Sequence, residues 1–153
     1  MTPGYQIESI SVRVLLLHLS THDRYRTSMK ILITGHKGFI GQNIWNHFAG
    51  TNELIGYDWD ENVLPKVKGC DAVIHLGAIS STTERDVDKI LRQNLDFSKW
   101  LFKECVKHDV VLQYASSASV YGNNTNFQES SKLSPSSPYA WSKFLFDRWV
   151  NDQ

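Results

Sequence analysis

The stretch "KILITGHKGFIG" (30–41) constrains the fold of this chain more than any other. A short unbroken apolar run ends in glycines at 35, 38 and 41, and "FIGQNIWNHFAG" follows as a helical segment with a stop at Gly50. An unbroken apolar run of this length reads as a strand buried on both faces of a parallel sheet. Glycines between such a strand and a helix permit a tight turn and leave the first helical N–H groups uncovered. Those free donors favour an anion such as a pyrophosphate. A glycine triplet alone is weak evidence; its place between strand and helix gives it weight.

The alternation continues down the chain. "ELIGYD" (53–58) and "DAVIHLGA" (71–78) read as strands. Residues 86–108 read as a long helix, with Val87, Ile90, Leu91, Leu95, Leu101, Phe102 and Cys105 near helical spacing. "VVLQYASS" (110–117) is a further strand, and residues 134–150 begin as a turn and become helix. Strands alternating with helices predict right-handed crossovers and an α/β fold, an open, doubly wound parallel sheet with helices on both faces. Only residues 59–70 lie between the second and third strands, so an edge strand there is either a scrap around residues 63–67 or missing.

Size and charge narrow the function. At 153 residues the chain suits one domain. Lys plus Arg and Asp plus Glu number 16 each, giving zero net charge with no basic cluster. That argues against a nucleic-acid or anionic-membrane partner. Cys70 and Cys105 fit no CxxC or metal-ligand spacing, and His36, His47 and His108 read as surface or satisfied polar residues. A reducing, cytoplasmic setting and no metal site are expected. Residues 1–28 look foreign to the rest: "ISVRVLLLHLS" is too short to span a bilayer, is broken by Arg13 and His18, and lacks a cleavage site. "MKILITG" reads like a natural start, so a poorly ordered leader (1–28) ahead of a domain at 29–153 is expected.

Two further groups carry chemistry. Asp58 ends the strand after the glycine turn, where a carboxylate holds the two hydroxyls of an adenosine ribose. It repels a 2′-phosphate and, with Asp60, favours NAD, whereas Lys37 would attract that phosphate, so NADP stays open. Tyr139 and Lys143 are one helical turn apart and share a face. A nearby ammonium favours the phenolate, which could take a proton from a substrate hydroxyl as hydride leaves the same carbon. "YASSASVYG" supplies Ser117 at a strand's C-terminal end, where ligands bind in such sheets.

Jointly these motifs resemble the extended short-chain dehydrogenase/reductases, the NAD-dependent sugar epimerases and dehydratases, whose sheet is Rossmann-like. The resemblance covers nearly all of residues 29–150. It implies cofactor contacts at Gly35, Lys37, Gly38, Phe39, Ile40, Gly41 and Asp58, at Leu76, Gly77 and Ala78 of "HLGA", and at Asn94, the family's structural asparagine. Ser117, Tyr139 and Lys143 take the catalytic places, with Ser119 the rival serine. "GAISSTTERD" and "YAWSKFLFD" are similar to a narrower group, the ADP-glyceromanno-heptose 6-epimerases. That likeness puts Ser80, Ser81, Thr82, Thr83, Glu84 and Ser119 beside a nucleotide-sugar, although "SSTTE" also suits a helix cap.

"GHKG" is similar to NADP-dependent nucleotide-sugar epimerase-reductases, so the subfamily stays open. The later strands and the small sugar-gripping domain of the family do not fall within these residues, which implies that cofactor binding survives better than turnover. A catalytically inactive cofactor-binding fragment is therefore the rival reading. The last helix is apolar nearly all round, from Trp141 to Val150. In the family this helix and the long one before it pair between subunits, which implies a homodimer; a face left unfilled is the other explanation.

Overall fold

The structure is a computed structural model and describes residues 13–15, 28–81 and 83–153. One sheet has the strand order β1-β5-β4-β2-β3. Its strands are β1 (Arg13–Leu15), β2 (Lys30–Thr34), β3 (Glu53–Tyr57), β4 (Ala72–His75) and β5 (Val111–Tyr114). The last four are parallel, as expected of apolar runs joined by helical crossovers. β1 adds an antiparallel edge, Val14 opposite Gln113, which the sequence reading did not include. Apart from this strand and Ser28, the leader expectation lies outside the described residues.

The helices are α1 (Phe39–Phe48), α2 (Val87–Ile90), α3 (Phe97–His108) and α4 (Pro138–Asn151). A π-helical segment, Leu91–Asp96, joins α2 to α3, so the expected long helix is present with one wide turn inside it. There the Phe97 N–H bonds to the Arg92 carbonyl, five residues back. The helix stops at Asp109, which takes the left-handed conformation (φ 54°). Ser137 caps α4 by accepting from the Ala140 N–H, and Pro138 fills the first turn, where its missing donor costs nothing.

Side-chain alternation along the strands divides the core in two. Ile31, Ile33 and Ile74 face α1, meeting Ile44, Trp45 and Phe48. Leu32, Val73, Leu112 and Tyr114 face the other way, into a larger cluster with Leu101, Phe102, Cys105 and Phe146 of α3 and α4. Each such aliphatic side chain contributes about 1.5–3 kcal/mol when fully buried. No strand lies between β3 and β4 among the described residues. That segment instead folds over the sheet edge, where the Tyr57 hydroxyl donates to the Val63 carbonyl (3.0 Å) and Val67 is buried.

Register sets up the site. Thr34 pairs with Tyr57 and with His75, and His75 with Tyr114, so four strand ends lie level. β3, β4 and β5 end before the runs read from the sequence do. Their last residues peel away as loops, leaving a crevice beyond the sheet's C-terminal edge.

Candidate active site

The crevice is a cleft of about 510 Å³. The glycine turn forms its floor. Gly35 has φ +72°, and a Cβ there would sit 2.7 Å from the Gly77 Cα. A Cβ on Gly41 would lie 2.1 Å from the Gly35 carbonyl oxygen. The backbone is thus drawn down onto the helix start as only glycine allows. Gly38 is the N-cap of α1, without a side-chain cap and with no acid in the first turn. The free N–H groups and dipole of this ten-residue helix suit a pyrophosphate. Phe39 and Ile40 line the cleft, and Phe39 is 86% exposed.

Asp58 closes one end. Its Oδ2 lies 3.4 Å from Lys37 Nζ and 3.5 Å from His36 Nδ1. Neither contact meets hydrogen-bond geometry, so that buried oxygen has no hydrogen-bond partner among the described residues. A ribose hydroxyl would supply one, which fits the role given to Asp58. His36, expected to be a surface or satisfied polar residue, has a buried Nδ1 without a hydrogen-bond partner among the described residues; it lies beside Asp58, its ring over Gly56. A Cβ on Gly56 would come within 2.5 Å of that ring. Lys37 stays largely in solvent and does not line the cleft.

Tyr139 and Lys143 both line the opposite wall. Lys143 is buried, and its Nζ donates to the Ala115 carbonyl (3.0 Å). Burial pushes the ammonium down to about 8, against the pull of Asp147 in the other direction. Asp147 accepts from Ser116 Oγ (2.5 Å) and the Tyr114 hydroxyl (3.1 Å), clamping α4 to the end of β5. Ala115 and Ser116 line the cleft, whereas Ser117 and Ser119 do not. The latter two pair with each other (2.9 Å), and Ser117 caps a 3₁₀ turn, Ala118–Tyr121. Sequence reasoning missed Ser116 and Asp147; the acid one turn beyond Lys143 was the available signal.

The remaining candidates divide. Leu76, Gly77, Ala78 and Ser80 line the cleft. Asn94 does not: it is 1% exposed and holds the loop after β4, accepting from the Ile79 N–H (2.8 Å) and donating to its carbonyl (3.0 Å). Its part is structural, and the cofactor contact expected of it is not made by a cleft-lining side chain. Ser81 bonds to Thr83 (2.9 Å), and Thr82 lies outside the described residues. Glu84 accepts from the Asp86 and Arg85 N–H groups and from Lys89. Those bonds hold its carboxyl below the usual range. The helix cap itself falls on Asp86, which accepts from the Lys89 N–H (2.9 Å), not on "SSTTE". Among the described residues no cluster is placed to hold a metal, and no helix is long and apolar enough to cross a membrane.

Comparison with known proteins agrees with this geometry. The profile of the NAD dependent epimerase/dehydratase family matches residues 31–153. The chain belongs to that family. An ADP-L-glycero-D-manno-heptose-6-epimerase of Cupriavidus pinatubonensis is 32% identical over 82% of this chain and 46% of its own length. A heptose 6-epimerase structure from Helicobacter pylori superposes with a TM-score of 0.72 at 24% identity, covering 82% of this chain and 51% of that one. At that identity the likeness is one of fold. MoeE5, solved with UDP-glucuronic acid and NAD, gives 0.66 at 26% identity, over 78% and 47% of the two chains. This epimerase/dehydratase family member thus spans about half the length of the relatives it matches.

Proposed function

We propose that the chain is the cofactor-binding and acid/base half of an NAD-dependent nucleotide-sugar epimerase or dehydratase. The observation that carries this is the shared cleft: the glycine turn and Asp58 at one side, Tyr139 and Lys143 at the other. Gly35, Gly38 and Gly41 would hold the pyrophosphate, Asp58 the adenosine ribose, and Lys143 the nicotinamide ribose. The bound dinucleotide would accept and return a hydride at a sugar carbinol. Tyr139 removes the hydroxyl proton as that hydride leaves and restores it afterwards. Ser117, with Ser119 its rival, would orient the sugar oxygen, and Ser80 on the cleft would border the sugar.

The substrate class follows the relatives, a nucleoside-diphosphate sugar, with NAD preferred over NADP through Asp58. Trp141 and Leu145 are exposed one turn apart on α4 and support a homodimer formed by helix pairing. Two buried free cysteines suit a cytoplasmic protein. The test is turnover with NAD⁺ and a panel of nucleotide-sugars, followed by NMR of the sugar. Wild type should scramble one stereocentre, and Tyr139→Phe should lose at least about a hundred-fold in rate with cofactor affinity intact. Ser117 and Ser119 bond to each other and do not line the cleft, which favours a second reading, a cofactor-binding unit without turnover. NAD⁺ binding with no sugar converted would select it.

A further inference from the structure

Beneath the cleft runs a buried chain of side chains that the proposed chemistry does not use. Thr34, His75, Ser98 and Asn94 are each about 1% exposed. Thr34 Oγ1 lies 2.6 Å from His75 Nδ1, and His75 Nε2 lies 2.7 Å from Ser98 Oγ. Ser98 Oγ in turn donates to the Asn94 carbonyl (2.6 Å). At the cleft end the Gly77 N–H donates to Thr34 Oγ1 (3.2 Å).

Donor counting fixes the direction. A carbonyl can only accept, so the Ser98 proton is committed to Asn94, and Ser98 Oγ must accept from His75. His75 therefore carries its proton on Nε2. In a neutral ring Nδ1 is then an acceptor and takes the Thr34 proton, which leaves Thr34 Oγ1 free to accept from Gly77. Every group is used once, and the chain runs one way from Gly77 to Asn94. An imidazolium would donate from Nδ1 to Thr34 Oγ1, reversing that bond and displacing the Thr34 proton from its acceptor. Neutrality is supported by surroundings that disfavour the cation: burial first, and Lys143 on α4.

Both ends touch the site. Gly77 abuts Gly35, whose missing Cβ would collide with its Cα. Asn94 Nδ2 donates to Ser142 Oγ (3.0 Å), and Ser142 donates to the Tyr139 carbonyl (2.7 Å). We propose that His75, as the neutral Nε2–H tautomer, is a positioning residue that locks the Gly77 backbone against the glycine turn and ties it through Asn94 to the helix bearing Tyr139. What the cleft holds rests on the cofactor reading above; the chain itself does not.

The test uses the full chain with ¹⁵N-labelled histidine. His75 should show one Nε2–H ring that does not titrate between about pH 5 and 8, the range in which ordinary histidines do. A proton on Nδ1, or titration in that range, overturns the proposal. Ser98→Ala, remote from the cleft, should speed Gly77 amide exchange and weaken NAD⁺ binding by about three- to ten-fold, the loss of one hydrogen bond's worth of order. His75→Gln, which keeps a donor near Nε2, should lose less than His75→Leu. Wild-type exchange at Gly77 in Ser98→Ala would overturn the coupling. Should the wild type bind no NAD⁺, the cofactor reading falls, while ring tautomer and Gly77 exchange still decide the chain.

Discussion

The Lys143 ammonium is held 3.0 Å from the carbonyl oxygen of Ala115, so the buried amine of α4 is anchored to the end of β5. Asp147, one turn further on, fastens the same two elements through Ser116 and Tyr114. The acid/base wall is therefore built by contact between α4 and the strand end, before any ligand enters.

That burial has a measurable consequence. Burial lowers Lys143 from 10.5 to about 8, so between those values the unfolded chain holds the proton and the folded one does not. Stability from this group is full above pH 10.5 and is lost as pH falls towards 8, an effect of order 3 kcal/mol. Denaturant titrations should show the climb in wild type and a flatter profile in Lys143→Met.

Gly35→Ala should destabilise the fold by roughly 1–3 kcal/mol, because its φ of +72° is strained for any side chain and its Cβ meets Gly77 at 2.7 Å. Urea unfolding gives the stability, and a cofactor titration under folding conditions should show affinity lost as well.

His75 acts with the same sign in the acid window. Burial, aided by Lys143, lowers it from 6.5 to about 3, so the folded state resists protonation that the unfolded state accepts. Stability from this group is complete above pH 6.5 and declines by about 1.4 kcal/mol per unit as pH falls towards 3. His75→Gln should remove that component, read as a smaller shift of the urea midpoint between neutral and acid pH.

Asp58 sits between His36 and Lys37, both within 3.5 Å of its Oδ2. Asp58→Ala would leave two basic groups without their carboxylate, where a 2′-phosphate would be welcome. The ratio of NADP⁺ to NAD⁺ affinity should rise at least about ten-fold, measured by calorimetry.

Much of this was legible in the sequence, for local reasons. The run "KILIT" is β2 to the residue, because an uninterrupted apolar strand flanked by glycine leaves little choice. Tyr139 and Lys143 share the cleft because helical spacing puts them on one face. What the sequence hid depends on contacts distant along the chain. Ser116, not Ser117, lines the cleft, and its hydroxyl goes to Asp147, a partner on α4 that the strand pattern does not announce. His36 looked ordinary because only Gly56, on the neighbouring strand, makes room for its ring beside Asp58. The π turn that contains Asn94, whose side chain bonds the Ile79 backbone, has no period of its own to read.

The most direct test of the central claim is titration of the purified chain with NAD⁺, followed by quenching of its tryptophan fluorescence. Saturable binding in the wild type, kept by Tyr139→Phe and lost in Gly35→Ala, is the predicted result. No saturable binding in a folded wild-type chain, or binding untouched by Gly35→Ala, would contradict it.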